Sequence, residues 1–595
     1  IPDTNDIVSI ISPHIISVDS NANVTDLTIE NGASLDFDGL DTLKIHRDLT
    51  FDIGSTFIEN DGTISAISEA GVQSFSNNSN SRIELNNLHI SNTSGLELSS
   101  GGWAIHNSLQ VESGGMDVSS ADSVVLISNE TYTSQILESM DGAFTGDFIV
   151  QRYIGTRNAN YGNLGSPIEG ATMAQWDDDL FISGINGNDG NAQSGGGGTF
   201  YSIWSYYPPN GQNGSIQSVN ENINPGQGYE VYLASNLNTF DATTIDYVGV
   251  PNTGELATYM LTQKGWNLFS NQFHAHVAYD SVDKVSWIPT EYYIFNTDNG
   301  SYDFITGDGK PLLAPGQGFW INSNAAGKAF EFKEKDKVAS TSSSFLRSKS
   351  TKVEMLNFNL ICNSNQFKHN MMIDFSPYST SEIDEKDAYY LKSPLEEVPA
   401  IYTLASNSNE GLIKNSISNL EESHLIPMII YTGDNSNYEL NVDNIDKAYE
   451  NYSCIYLMDN ENQKVIDLTM ESEYEFEGKK GEENSFSLVL SNSYASCEEL
   501  IKSNTSNVFT QKLDQNINLR NASFNNWYID YTLSNEETPL NIKVFNINGQ
   551  EVIAPITWSA SGSGTYKIQG LEDLNGIFLI QIKSDKQVIN KTIKL

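Results

Sequence analysis

The sequence predicts an all-β, multidomain chain, and three observations carry that expectation. At 595 residues the chain is too long for one hydrophobic core, so roughly three to five domains are expected. Gly, Asn, Ser, Thr and Tyr are abundant while only 18% of residues are charged, a balance found in extracellular β-rich proteins more than in helical enzymes. Short apolar runs alternate with Thr, Ser, Glu and Asp and are broken by Gly, Asn and Asp, the pattern of strands with one buried face.

Residues 1–148 carry a spaced echo: Leu27-Thr-Ile29 with Gly32, Leu49-Thr-Phe51 with Gly54, Leu88-His-Ile90 with Gly95, and Leu109-Gln-Val111 with Gly114. The starts step by 22, 39 and 21 positions. With 39 taken as two coils, the period is about 20, which predicts a parallel β-solenoid whose coils stack their inward apolar residues. Residues 149–336 hold a second repeat. Tyr161-Gly-Asn163-Leu, Ile203-Trp-Ser-Tyr-Tyr207 and Pro225-Gly-Gln-Gly-Tyr229 are matched in order by Gly265-Trp-Asn267-Leu, Tyr292-Tyr-Ile-Phe295 and Pro315-Gly-Gln-Gly-Phe319. Two related β modules are expected, each with a Pro-Gly turn feeding an aromatic strand. The first carries an insertion that includes the Gly-rich tract 184–198.

Residues 337–351 are Ser-rich and aperiodic and read as a linker. Alternating runs from 352 to 503, such as Leu356–Leu360, Ile455-Tyr-Leu457 and Phe486-Ser-Leu488, predict an antiparallel sandwich. After a linker at 504–519, residues 520–595 contain five short strands with turns at Asn548-Gly549 and Asn575-Gly576, enough for a compact sandwich of its own.

The charge excludes one class of partner. Thirty-two Lys and Arg against 76 Asp and Glu leave a net charge of −44, so unaided binding to a nucleic-acid backbone is unfavourable. The 38% hydrophobic content supplies ordinary cores. No run of about 18 apolar residues predicts a membrane helix, and nothing near Ile1 resembles a signal peptide, so an exported protein would stand here in mature form. Cys362, Cys454 and Cys497 allow one disulfide and require none.

The last segment resembles the type A C-terminal sorting domain of cargo for the type IX secretion system of Bacteroidota. Three elements carry the resemblance, in order and up to the last residue. They are Val544-Phe-Asn-Ile-Asn-Gly549-Gln-Glu-Val552, then Leu571-Glu-Asp-Leu574-Asn-Gly576-Ile-Phe578, then the basic Lys591-Thr-Ile-Lys594. The Pro-Asn-Pro that often opens such domains is absent, and Asn525-Asn526-Trp527-Tyr528 stands in its place. The resemblance implies an Ig-like sandwich and delivery through the periplasm and across the outer membrane, to the medium or the cell surface. It also implies recognition by the translocon and its outer-membrane cargo receptors. On this reading Val544, Leu574 and Phe578 build the domain, Gly549 and Gly576 shape its turns, and Lys591 and Lys594 face the machinery. Charge agrees: residues 541–595 carry six Lys against four acids, net +2, while the other 540 carry 26 bases against 72 acids, net −46.

The passenger shows little sign of catalysis. There is no Gly-x-Ser-x-Gly elbow, His-Glu-x-x-His helix, Cys-x-x-Cys or Walker loop. Cys497 beside Glu498 and Glu499 lacks what lowers a thiol pKa. Lys44 and Arg47 beside Asp48 and Asp52 are a sparse set for a polysaccharide lyase. His274 and His276 share a strand face but lack a third metal ligand nearby. Asp177, Asp178 and Asp179, with Asp298, Asp303 and Asp308, are calcium candidates without EF-hand spacing, and no other cofactor is expected. Trp204, Tyr206, Tyr207, Tyr292, Tyr293 and Trp320 could stack on sugar rings, although their alternation favours core packing. Asp41-Thr-Leu43, Asp122-Ser-Val124 and Asp280-Ser-Val282 resemble short O-glycosylation sites of exported Bacteroidota proteins. The expectation is a non-enzymatic surface adhesin or interaction module, linked to gliding or attachment, with a surface glycan or lipopolysaccharide as partner. The alternative is a carbohydrate-active enzyme or glycan-binding protein with an unrecognised site.

Overall fold

The computed structural model describes the chain except residues 1–5, 59–60, 69–70, 186–200, 208–211, 217, 236–238, 257, 262–263, 285–287, 307–311, 325, 341–344, 347–354, 406–407, 409, 505–515, 524–525, 533–537, 547–549, 562, 572–573, 575–576, 585–587 and 595. The protein is all-β, and its few helices are short. Two compact units are present, Ile1–Val353 with Ser393–Leu395, and Glu354–Lys392 with Glu396–Leu595.

The first unit begins as a parallel β-solenoid. One sheet stacks Ile7–Ile10, Asp26–Ile29, Leu49–Phe51, Gln73–Asn77, Leu96–Ser99, Met116–Ser120 and Phe144–Thr145. A second runs from Ala22–Val24 through Thr42–Ile45, Thr63–Ser68, Ile83–Asn92, Gly102–Ser113 and Ser123–Leu126 to Phe148–Ile154. The third holds Ile15–Val18, Ser34–Phe37 and Thr56–Phe57. Inward residues form continuous columns with no exposure at Ile29, Ile45, Phe51, Phe75 and Leu98, each worth about 1.5–3 kcal/mol of apolar burial. Among the polar groups inside, Asn92 Nδ2 reaches the Gly95 carbonyl at 2.8 Å and Gln73 Oε1 at 3.1 Å. The end of the second sheet is closed by Thr243–Gly249, which pairs antiparallel with Phe148–Ile154.

The echo gives the right register but not one column. Leu27 pairs with Leu49 and Ile29 with Phe51, and Leu88 pairs with Leu109 and Ile90 with Val111, as the motifs align. The first two motifs, however, lie in the seven-stranded sheet and the last two in the other long sheet. The true neighbours of Leu49 and Leu88 are Phe75 and Ile64. Every coil offers the same apolar-x-apolar chemistry on more than one side, so the motif does not say which side it occupies.

Two four-stranded antiparallel sheets follow. Module one orders its strands Tyr161–Leu164, Tyr229–Tyr232, Ile203–Tyr207, Gln212–Ser215; module two orders them Gly265–Ser270, Gly318–Ser323, Tyr292–Asn296, Ser301–Ile305. In sequence terms both are first-fourth-second-third, so the repeat read from sequence is a repeat of topology. Register refines it by one residue: Gly162 faces Val231 as Asn267 faces Ile321, and Leu164 faces Tyr229 as Phe269 faces Phe319. Asn163 therefore corresponds to Leu268, not to Asn267. Within the expected linker 337–351, Phe345 and Leu346 are 6% and 0% exposed and belong to the core of this unit.

In the second unit, residues from Leu356 to Ser491 form one continuous eleven-stranded sheet rather than two separate ones. It is antiparallel except where Lys368–Phe375 meets Gly411–Ile417. Phe358, Leu360, Ile430, Leu440, Leu457 and Leu488 from across that sheet share one core, so the sheet encloses its own apolar face. The helix Tyr494–Asn504 is tied to it by the disulfide Cys454–Cys497; Cys362 is free and buried. The C-terminal segment is a small sandwich of a three-stranded sheet (Asn516–Ser523, Asn526–Thr532, Ser563–Lys567) and a four-stranded one (Ile556–Ala560, Thr538–Asn546, Ile577–Lys583, Val588–Lys594). Its own core comprises Trp527, Ile529, Ile542, Val544, Ile568, Leu571, Phe578 and Ile580.

Candidate functional site: a cleft between the repeated modules

The two modules meet reciprocally, each first strand lying against the other's Pro-Gly-Gln-Gly turn. Leu164 bridges Gln317 and Gln227 bridges Phe269. The Gly165 N–H donates to the Gly316 carbonyl at 3.0 Å, and the Ser270 N–H donates to the Gly226 carbonyl at 2.9 Å. Such close approach needs glycine: a Cβ on Gly228 would sit 2.5 Å from the Phe269 carbonyl oxygen, and one on Gly318 would sit 2.5 Å from the Asn163 Cβ. The repeated Pro-Gly-Gln-Gly sequence is thus what allows the modules to dock.

Between the packed faces, Trp320 Nε1 donates to Asn163 Oδ1 at 3.1 Å and its ring meets Tyr206 edge-on, 4.8 Å between centroids. Glu230, in register between Asn163 and Trp204, is 8% exposed, and burial pushes its carboxyl up to about 7. Burial raises the Tyr161 and Tyr302 hydroxyls, and the Glu230 charge adds to it. Glu230 escaped sequence reasoning, although the signal was there: one acid in an aromatic strand whose counterpart in module two is Trp320.

One side of this junction opens as a cavity of about 300 Å³ lined by Tyr206, Asn224, Gln227, Met260, Asn267, Leu268 and neighbouring residues, at the low end of ligand-site sizes. Its described lining has neutral amides, hydroxyls and apolar groups and no charged side chain. Asn224 Nδ2 donates to Gln227 Oε1 at 2.9 Å, and Met260 stands 48% exposed at the rim. The expected aromatics divide accordingly. Tyr292, Tyr293 and Trp320 are buried, Trp204 and Tyr206 are half-buried, and the side chain of Tyr207 lies outside the described set.

The remaining candidates are placed as follows. His274 and His276 are buried; His276 Nδ1 lies 3.0 Å from Gln135 Oε1, and burial drives His274 down to about 3, with the Arg152 charge acting in the same direction. The Asp246 N–H donates to Asp179 Oδ2 at 2.6 Å, and burial pushes that carboxyl up to about 6. Asp177 closes the helix Ala174–Asp177, followed by Asp178. In the other run, Asp303 Oδ2 accepts from Asn296 Nδ2 at 2.7 Å and the Asp298 N–H donates to Asn296 Oδ1 at 3.0 Å; Asp308 lies outside the described residues. Among the described residues no three His, Cys, Asp or Glu side chains gather as a metal site, so the two Asp runs do not combine into one. Arg47 is engaged by Asp26 of the neighbouring coil, with its Nε 2.7 Å from Oδ1. Cys497 is consumed by its disulfide, which removes it as a nucleophile. Ser281 is exposed, and Thr42 and Ser123 are half-buried.

Of the sorting-signal residues, Val544 and Phe578 are buried and Leu574 packs against the same core. Lys591 and Lys594 fall in the strand Val588–Lys594, with side chains outside the described set, as are Gly549 and Gly576.

Residues 266–490 match the model of a domain of unknown function (DUF8693). The match covers less than half of the chain, from the first strand of module two to the last long strand of the eleven-stranded sheet. No curated protein matches. Among solved structures, a β-D-glucuronidase from Dictyoglomus thermophilum matches at 11% identity over 37% of this chain and 45% of its own, with a TM-score of 0.11. The chain thus spans under half the length of that enzyme, and a likeness of this degree carries no argument.

Proposed function

We propose that this protein is a cargo of the type IX secretion system, exported through its C-terminal sandwich and displayed at the cell surface or released as a non-enzymatic adhesin or interaction module. The observation that carries the reading is an adjacency. Val544 in Thr538–Asn546, Phe578 in Ile577–Lys583 and the basic Val588–Lys594 occupy three strands hydrogen-bonded in that order. The sandwich has a core of its own, and its last strand is a sheet edge, a surface open to pairing with another chain. The described lining of the cleft presents amides, hydroxyls and apolar groups, which suit binding through neutral contacts.

The test is deletion of 587–595, alongside the paired Lys591→Gln and Lys594→Gln variant, with protein outside and inside the cells quantified. Retention inside is expected; continued export of both would sink the reading. A glycan array with a reducing-end assay addresses the alternative, since released sugar would establish an enzyme.

A further inference from the structure

The two modules share one topology, yet among the described residues one of their two reciprocal junctions is open and the other is filled. In the closed junction Phe345 and Leu346 occupy the space, and they are held as a bound peptide would be. The Leu346 N–H donates to Gln317 Oε1 at 3.0 Å, its carbonyl accepts from the Thr297 N–H at 3.0 Å, and Phe345 stacks under Arg152 at 3.9 Å. Leu346 also sits at φ +56°, a conformation that a Leu rarely adopts and keeps only where its surroundings hold it. Two wall residues of this junction have counterparts in the open one. Gln317 corresponds to Gln227 through the Pro-Gly-Gln-Gly repeat, and Gly162, whose Cβ would lie 3.2 Å from Leu346 Cδ1, corresponds to Asn267 through strand register. Gln227 and Asn267 both line the open cleft.

We infer that the open cleft is a peptide-binding site. It takes a segment with an aromatic–aliphatic pair, seated as Phe345–Leu346 is seated in the closed junction, with a main-chain N–H donating to Gln227 Oε1. That carbonyl oxygen has a second acceptor position beyond the one Asn224 uses, and Tyr206, Leu268 and Phe269 supply apolar walls. The amides, hydroxyls and apolar groups of the described lining suit a peptide backbone, whose groups are neutral dipoles. This inference rests on the reading of the passenger as an interaction module and names its partner class.

The probe is a fluorescein-labelled peptide of residues 343–348, Ser-Ser-Phe-Leu-Arg-Ser, titrated by anisotropy into the purified full chain, with a control in which Phe and Leu are both Ser. Saturable binding is expected with the first peptide and none with the control. Gln227→Ala should weaken binding at least tenfold, and Met260→Trp, at the exposed rim, should abolish it while leaving the thermal transition unchanged. Absence of saturable binding, equal affinity in both variants, or displacement of the peptide by neutral oligosaccharides with the same dependence on the two variants would each overturn it. Export plays no part in this titration, so failure here and failure of the sorting reading are separate results.

Discussion

Trp320 Nε1 donates a hydrogen bond to Asn163 Oδ1 at 3.1 Å across 157 positions of sequence, tying the second module to the first. Both residues are buried, so neither partner has water to fall back on. Trp320→Phe keeps an aromatic ring near Tyr206 but orphans the Asn163 oxygen. A loss of about 1–3 kcal/mol is expected from the unsatisfied group, and about 3–5 kcal/mol for Trp320→Ala, which also leaves a cavity. Urea denaturation followed by hydrogen exchange of the module strands measures both.

Glu230 makes the same junction sensitive to pH. Its folded value, about 7, exceeds its ordinary 4.5. Between those values the unfolded chain has lost the proton and the folded chain retains it, so the junction loses stability as pH rises through that window. Glu230→Gln keeps the shape without the charge. Compared with the parent, it should gain stability progressively from pH 4.5 to 7, by a few kcal/mol, and level off above. Comparing the two proteins cancels the opposite trend of His274, which is held near 3 and costs stability as pH falls below 6.5. A difference independent of pH would show that Glu230 is not buried as an acid.

Glycines in the solenoid differ sharply in what they tolerate. Gly114 has φ +79°, and a Cβ there would lie 1.8 Å from the Asn92 carbonyl oxygen; Gly71 has φ +88° and nothing within 4 Å. Gly71→Ala therefore meets backbone strain alone, about 1 kcal/mol. Gly114→Ala must also separate two coils and should cost well above 2 kcal/mol. Thermal melts of the two variants decide this, and equal losses would contradict the stacking.

The Cys454–Cys497 bond closes a loop with a sequence separation of 43, which chain entropy values at about 4 kcal/mol. Replacing both with Ala should lower the stability of the eleven-stranded sheet by up to that amount and free the helix Tyr494–Asn504, read by its amide exchange. Under native conditions a thiol reagent should label none of the three cysteines quickly, because the remaining Cys362 is buried.

Legibility in the sequence followed the range of the interaction. Leu27 and Leu49 announce their pairing because stacked coils repeat the same inward chemistry, and the two modules announce their common topology through Pro-Gly-Gln-Gly. Alignment by the shared Asn-Leu nevertheless misplaced the first strand by one residue, because a strand's register is set by which face it buries. The disulfide, the sharing of one sheet by all the strands from 356 to 491, and the burial of Phe345–Leu346 inside a Ser-rich stretch left no local mark.

By itself, then, the sequence determined the all-β class, the presence of the solenoid, the repeat of modules and the C-terminal sandwich, whereas its period of about 20 was short of the 22, 26 and 23 positions that separate Leu27, Leu49, Phe75 and Leu98 in neighbouring coils. The tertiary structure alone decided which copy of the module junction is filled and which stands open, and that Glu230 lies buried between Asn163 and Trp204. Those outcomes depend on pairings between residues far apart in sequence, Leu346 with Gln317 and Thr297, and Glu230 with Asn163 and Trp204.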